Sequence, residues 1–372
     1  MQVTALTAAT LVIPLRNPTS IAARTMTERH YTLVKVATEG GVEGLGFCYC
    51  GNAAGWVVTS TVRDLLARHV VGRDAHHTEG IWNDMYADAL LMGRRGAALR
   101  AMSAIDIALW DANAKAADLP LYRYLGAARG DTVPAYASGG YFLPGKSEQD
   151  LAAECARYVD AGFGAVKIKV GRVDARADAA RIAAVRQAVG DEVELFADAN
   201  NAWPDAASAI RAVRRWEQFD LGWIEEPNPP DELAAHAAVA AAVEPPVATG
   251  EIHQTRWDFQ QILDLGAAAI VQPDAAVCGG VTEFRRIAAL AAGQGITVAP
   301  HWLADLHVHL VAATANATWV EYFTDTEVLN LMEVFRTRLQ ARDGALVLPQ
   351  EPGLGIVLDD AAVERFSRDG WR

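Results

Sequence analysis

Eight short apolar runs, VPAYAS, AVKIKV, VELFAD, GWIEE, PVATGE, AAIVQPD, ITVAPH and TWVEYF, recur between residues 131 and 345, separated by longer Ala-, Arg- and Glu-rich segments of helical period. Strand and helix alternating eight times over one such stretch is the arithmetic of a (β/α)8-type barrel of the α/β class, with a ring of parallel strands inside a ring of helices. That architecture brings the C-terminal ends of all strands to one mouth. Residues far apart in sequence then share a cavity if they keep the same phase along their strands.

The polar residues keep that phase. Ser138, Lys167 and Lys169, Asp198 and Asn200, Glu225, Glu251, Asp274, His301 and Glu321 all fall at or just beyond a strand's end. From Lys169 onward the intervals are 29, 27, 26, 23, 27 and 20 residues, one strand–helix unit each time. In AVKIKVG, alternation sends Val166, Ile168 and Val170 to one face and Lys167 and Lys169 to the other. Two lysines on an isolated strand would read as a solvated edge; here they point into the mouth. Asp198, Glu225 and Glu251 on successive strands are the hard oxygen ligands that Mg2+ takes. One such acid alone would read as a helix cap or surface ion pair. Asp274 and His301 end neighbouring strands, so the acid can orient the imidazole as a general base. Lys169 stands on another arc of the mouth as a second base, with Lys167 beside it opposing its protonation. Bases flanking a cation suit removal of a weakly acidic proton next to a carboxylate, the resulting enediolate being stabilised by the metal. Glu321, if protonated, would donate a hydrogen bond to it.

The rest of the chain fits a smaller partner to the barrel. Residues 1–130 read as an α+β capping domain: strand-like runs with Gly40-Gly41 between two of them, then Ala-rich helices, the last placing Met102, Ile105, Leu109 and Trp110 on one stripe. RNPTSIAARTMTERH between the first two strands reads as a mobile loop. Residues 346–372 read as a short strand and Gly/Pro turn packing back on the cap. Net charge of −13 argues against nucleic-acid or anionic-membrane partners. No secretory signal or run of about twenty apolar residues is present, and the reading is cytoplasmic. Cys48, Cys50, Cys155 and Cys278 lack metal or disulfide spacing and read as reduced packing residues. His307 and His309 in HVH point to different helix faces, and Gly279-Gly280 reads as a tight turn rather than as a phosphate-binding helix start.

KIK, DAN, WIEEP, TGE, QPD and APH at the second to seventh strands, with the helix SAIDIALWDANAK, strongly resemble the enolase superfamily, in particular its mandelate racemase subgroup, over essentially the whole chain. Sites of that superfamily combine Lys or His bases with Mg2+. The resemblance implies Asp198, Glu225 and Glu251 as Mg2+ ligands with Glu226 behind them, Lys169 as one base, the His301–Asp274 dyad as the other, and Glu321 as stabiliser of the enediolate. It further implies two cap loops closing over substrate, at about residues 16–30 and 48–56, and assembly into a homo-oligomer. Arg24, Tyr49, Asn52 and Trp56 in those loops, with Ser138 and Asn200, are the candidate substrate contacts. GLGFCYC carries no acid after GLG, where many relatives do.

The expected activity is Mg2+-dependent abstraction of the α-proton of a hydroxy-carboxylate, a sugar acid, followed by loss of the β-hydroxyl to give a 2-keto-3-deoxy acid. Racemisation or epimerisation and cycloisomerisation are alternative fates of the same intermediate. A Schiff-base lysine at Lys169, or a barrel kept only for binding or assembly, are the competing classes.

Overall fold

The computed structural model describes residues 1–372. Val3–Ile21 (β1), Arg24–Thr38 (β2) and Glu43–Tyr49 (β3) form an antiparallel sheet in that order. Gly41, at φ 75°, makes the turn between β2 and β3, a conformation that costs glycine little. The segment expected as a mobile loop at 16–30 is instead strand. Pairing slips between Pro14 and Thr19 and resumes with Thr19–Met26, Ser20–Thr25 and Ile21–Arg24. Pro14 and Pro18 lack ladder donors, so they interrupt the pairing without ending the hairpin. Ser20 and Phe142 exchange backbone hydrogen bonds of 3.1 and 3.2 Å, tying the hairpin tip to the barrel's first strand–helix loop.

The Ala97–Ala116 helix is buried almost all round, not along one stripe. One side lies against β3, where Gly44 and Gly46 replace side chains; a Cβ on Gly46 would sit 1.8 Å from the Ala104 carbonyl oxygen. Its other side meets the barrel. The buried Asp106 accepts from the Thr282 N–H (2.9 Å) and hydroxyl (2.6 Å) at the start of the Gly280–Gly293 helix. This carboxylate occupies the helix terminus that Gly279-Gly280 opens, leaving no room there for a phosphate. Asp111 accepts from the Leu45 and Leu354 N–H groups, both at 2.7 Å. One helix thus clamps cap sheet, barrel and C-terminal segment together.

The barrel strands are Thr132–Ser138 (β4), Ala165–Lys169 (β5), Glu194–Asp198 (β6), Leu221–Glu225 (β7), Val247–Thr249 (β8), Ile270–Val271 (β9), Thr297–Val298 (β10) and Val320–Tyr322 (β11). They pair in parallel from β4 through β10, and β11 pairs with β4. A parallel bridge between Val298 and Ala317 links the β10 side to the run entering β11. Inside, Tyr136, Phe196 and Trp223 pack with Ala165, Ala248 and Ala299. The Phe196 and Trp223 rings stack 3.4 Å apart between centroids, filling the barrel beneath its mouth. Val166 and Ile168 join the larger core outside, so Lys167 and Lys169 take the inner face.

Ala341–Arg342 (β12) and Ala345–Val347 (β13) form a hairpin, and β13 pairs antiparallel with β4. The tail therefore first extends the barrel sheet. Beyond it the tail meets the cap: Leu121 N–H donates to Gly353 (2.7 Å) and Arg368 N–H to Thr10 (2.9 Å). Cys48, Cys155 and Cys278 are buried; Cys50 is partly buried at the end of β3. No helix is long and apolar enough to cross a membrane.

His307 and His309 are both buried structural groups. His307 accepts from the Ala275 N–H (3.0 Å) and donates to the Trp302 carbonyl (2.6 Å). His309 accepts from the Tyr122 N–H (3.3 Å) and donates to the Leu354 carbonyl (3.1 Å). Burial pushes the His309 imidazole down to about 4, against about 6.5 for a free ring. Between those values the unfolded chain binds the proton that the folded chain refuses, so this contribution is complete above pH 6.5 and lost as pH falls toward 4, about 3 kcal/mol in all. Urea unfolding across pH 4.5–7.5 is expected to show a shallower pH slope for His309→Gln than for the unmodified protein. Parallel slopes would contradict this role.

Candidate active site

From β5 onward every strand's exit delivers at least one ionisable group, two of them on β5. Asp198 closes β6 and Glu225 closes β7, both fully buried, and Glu251 follows β8 two residues on, partly open to the cavity. One carboxylate oxygen from each lies within 4.8 Å of the other two. Asp198 is aimed by the Asn200 N–H, which donates to Oδ1 at 2.8 Å. Glu225 is aimed by the Trp223 indole (3.0 Å) and the Gln272 amide (2.8 Å), which both donate to Oε2.

The lysines answer these acids. Lys169 pairs with Asp198. Lys167, wholly buried, pairs with Glu225 (2.6 Å) and Glu321 (2.8 Å) and lies 3.6 Å from Asp198. Burial opposes the charge on Lys169, as does Lys167, yet Asp198, Tyr141 and Glu321 together hold the amine above the ordinary lysine range. Lys167 acts in the expected direction, but the expected net lowering does not result in this arrangement. Burial and the neighbouring Asp198 push Glu225 up to about 8. Glu321 differs from expectation too: it accepts from the Ser138 hydroxyl (2.6 Å) and the Trp302 N–H (2.7 Å) as well as Lys167. Burial would raise its carboxyl, but Lys167 and His301 draw it down to about 2. It stands here as an ionised acceptor, not a protonated donor.

His301 donates from Nδ1 to Asp274 Oδ2 (3.1 Å) and turns Nε2 toward Glu251, 3.4 Å away. Asp274 is itself fixed, because its other oxygen accepts from the Ala276 N–H at 2.8 Å. Burial works against the imidazolium, but Glu251 and the bond to Asp274 raise it to about 9. Glu226 is buried with neither oxygen hydrogen-bonded, and Glu251 Oε2 has only the 3.4 Å approach of His301 Nε2, without a formed hydrogen bond. Three converging carboxylates, with buried oxygens that lack hydrogen-bond donors beside them, are the mark of a site completed by a cation. The hard oxygen set suits Mg2+.

Above the acids lies a cavity of about 610 Å³ between barrel and cap. Lys169, Asn200, Glu251, Asp274 and His301 line it from the barrel, and Arg24, Tyr49 and Asn52 from the cap. Two of the candidate substrate contacts lie elsewhere. Trp56 is 47% exposed and faces a separate surface groove beside Arg63, because it opens the short Trp56–Ser60 helix, beyond the turn that follows β3. Ser138 is spent on Glu321. Arg29 and Arg100, which no sequence motif marks, line the cap wall; Trp223 and Gln272, inside WIEEP and QPD, orient Glu225.

Residues 150–362 match the family described as enolase C-terminal domain-like, and residues 3–126 match the mandelate racemase / muconate lactonizing enzyme N-terminal domain. The chain belongs to the enolase superfamily. It is similar to the L-talarate/galactarate dehydratase of Salmonella typhimurium, 38% identical over 94% of this chain and 87% of that protein. It is also similar to the 3,6-anhydro-alpha-L-galactonate cycloisomerase of Streptomyces coelicolor, 36% identical over 90% of each. Among solved structures, L-talarate dehydratase from Polaromonas sp. JS666, complexed with Mg and L-glucarate, superposes with a TM-score of 0.91 at 35% identity, covering 100% of this chain and 99% of that one. Enolase-superfamily enzymes use Mg2+, and this chain's relatives include sugar-acid dehydratases and cycloisomerases.

Because Lys167 is the ammonium group in contact with both buried Glu225 and Glu321, Lys167→Met is expected to cost the metal-free protein about 3–5 kcal/mol, with added Mg2+ raising the melting temperature more in the variant than in the unmodified protein. Equal melting of both proteins in EDTA would contradict this balance.

Proposed function

We propose that this enzyme removes the α-proton of a sugar acid and expels the β-hydroxyl, giving a 2-keto-3-deoxy acid and water. The observation that carries the reading is the placement of Lys169 and His301 on one cavity with the Asp198–Glu225–Glu251 trio between them. Asp198, Glu225 and Glu251 would hold Mg2+. When bound, the cation supplies positive charge against the negative charge that builds on the substrate carboxylate, and offsets the acids that otherwise keep Lys169 and His301 protonated. Lys169 or His301 takes the α-proton; His301, held in one orientation by Asp274, returns a proton to the departing hydroxyl. Glu321, carried by Lys167 and Ser138, anchors the Trp302 N–H beside the imidazole. Asn200, Arg24 and Tyr49 contact the substrate.

A second reading keeps the first step and changes its outcome. Lys169 and His301 reach the cavity from different arcs of the barrel, which permits return of the proton to the other face, as in epimerisation, and a cycloisomerase is among the relatives. Incubating the Mg2+-loaded enzyme in D2O with a library of sugar acids, then derivatising with semicarbazide, separates the two. Keto acid formation that EDTA abolishes is the expected result. Deuterium uptake without keto acid would overturn dehydration in favour of the isomerase, and neither product from any acid would overturn both.

A further inference from the structure

The cavity is electrically two-ended. Its barrel floor is acidic, while its cap wall carries Arg24, Arg29 and Arg100. Arg29, from β2, is only 3% exposed. Its Nε donates to the Val328 carbonyl (2.6 Å) and its Nη1 to the Tyr49 hydroxyl (2.9 Å), with the guanidinium 5.4 Å over the Tyr49 ring. Arg100, from the first turn of the Ala97–Ala116 helix, donates to the Tyr49 carbonyl. All of these acceptors are neutral. A guanidinium is always charged, and a buried one is ordinarily held against an acid. Arg181, the other buried arginine, follows that rule through Asp178. Arg29 does not, although it faces the cavity.

Building on the proton-abstraction reading, we infer that Arg29 and Arg100 receive a second carboxylate of the substrate, so that the acid processed is an aldaric acid, with a carboxylate at each end. The reacting carboxylate belongs at the acidic floor, beside the cation and Lys169. A sugar acid with one carboxylate would then offer only hydroxyls to the cap wall and leave the buried guanidinium without a counterion. A terminal carboxylate supplies that counterion and matches the guanidinium fork with parallel hydrogen bonds. Arg24, exposed at the hairpin tip, adds positive charge at the same end.

Binding is read separately from chemistry. The Mg2+-loaded enzyme is titrated with galactarate and glucarate, with galactonate and gluconate, and with 6-phosphogluconate, following the melting temperature, and the same titrations are run on Arg29→Lys and Arg100→Gln after circular dichroism confirms that both are folded. At least one aldarate is expected to stabilise at a concentration tenfold or more below its matched aldonate, and the preference is expected to shrink below threefold in both variants. An equal or absent response to aldarates, a preference for the terminal phosphate, or a preference unchanged in both variants overturns the inference. A bound aldarate that yields neither α-proton exchange nor keto acid counts against proton abstraction and leaves the binding inference standing.

Discussion

The structure is organised around an excess of carboxyl groups over cationic partners at one barrel mouth. Asp198, Glu225, Glu226, Glu251, Asp274 and Glu321 crowd one barrel mouth, and only Lys167, Lys169 and His301 stand against them. Taking a carboxylate out of water is expensive unless it is paired. The lysines therefore sit where their ammonium groups reach these acids, Lys167 touching three of them, and Glu226 keeps oxygens that no donor reaches. A cation is the missing term in that balance. Held by Asp198, Glu225 and Glu251, it would offset the acids that now face Lys169 and His301.

The fold holds this arrangement by stiffness below and strain above. Beneath the mouth, stacked Phe196 and Trp223 and the edge-on Tyr136 fill the barrel, and the Trp223 indole hydrogen-bonds Glu225 directly. At the strand exits, Asn200, Asn201, Glu226, Trp302 and Leu303 all take positive φ. Asn tolerates that region, but Glu, Trp and Leu do so at a cost met by surrounding contacts. The result at Trp302 is a backbone N–H aimed at Glu321, one residue from His301. The cap is fastened from outside by Asp106 and Asp111 on one helix, whose acceptor bonds to Thr282, Leu45 and Leu354 fix the relation between β3, the barrel and the C-terminal segment.

Much of the site was legible because barrel periodicity converts sequence spacing into spatial convergence. The lysine pair, the acid trio and the His301–Asp274 dyad all sit at strand exits, where phase alone locates them. The cap was less legible. Residues 16–30 look like loop because Pro14, Asn17 and Pro18 break the alternation, yet the hairpin recovers register beyond them. Trp56 is adjacent in sequence to the cavity wall but is turned away by the helix it begins. Arg29 and Arg100 carry no local motif; Arg100 stands out only as a charge within an Ala- and Leu-rich turn, and its lack of a partner acid is visible only in three dimensions. The protonation states were not legible either, since they depend on which acid wins each lysine.

Anomalous diffraction from crystals soaked with Mn2+ tests the central claim most directly. The account predicts one strong peak coordinated by oxygens of Asp198, Glu225 and Glu251, with the Lys169 ammonium displaced from its contact with Asp198 and turned toward the cavity. A peak ligated by other residues, or an empty trio with both lysine pairs intact at saturating metal, would contradict it.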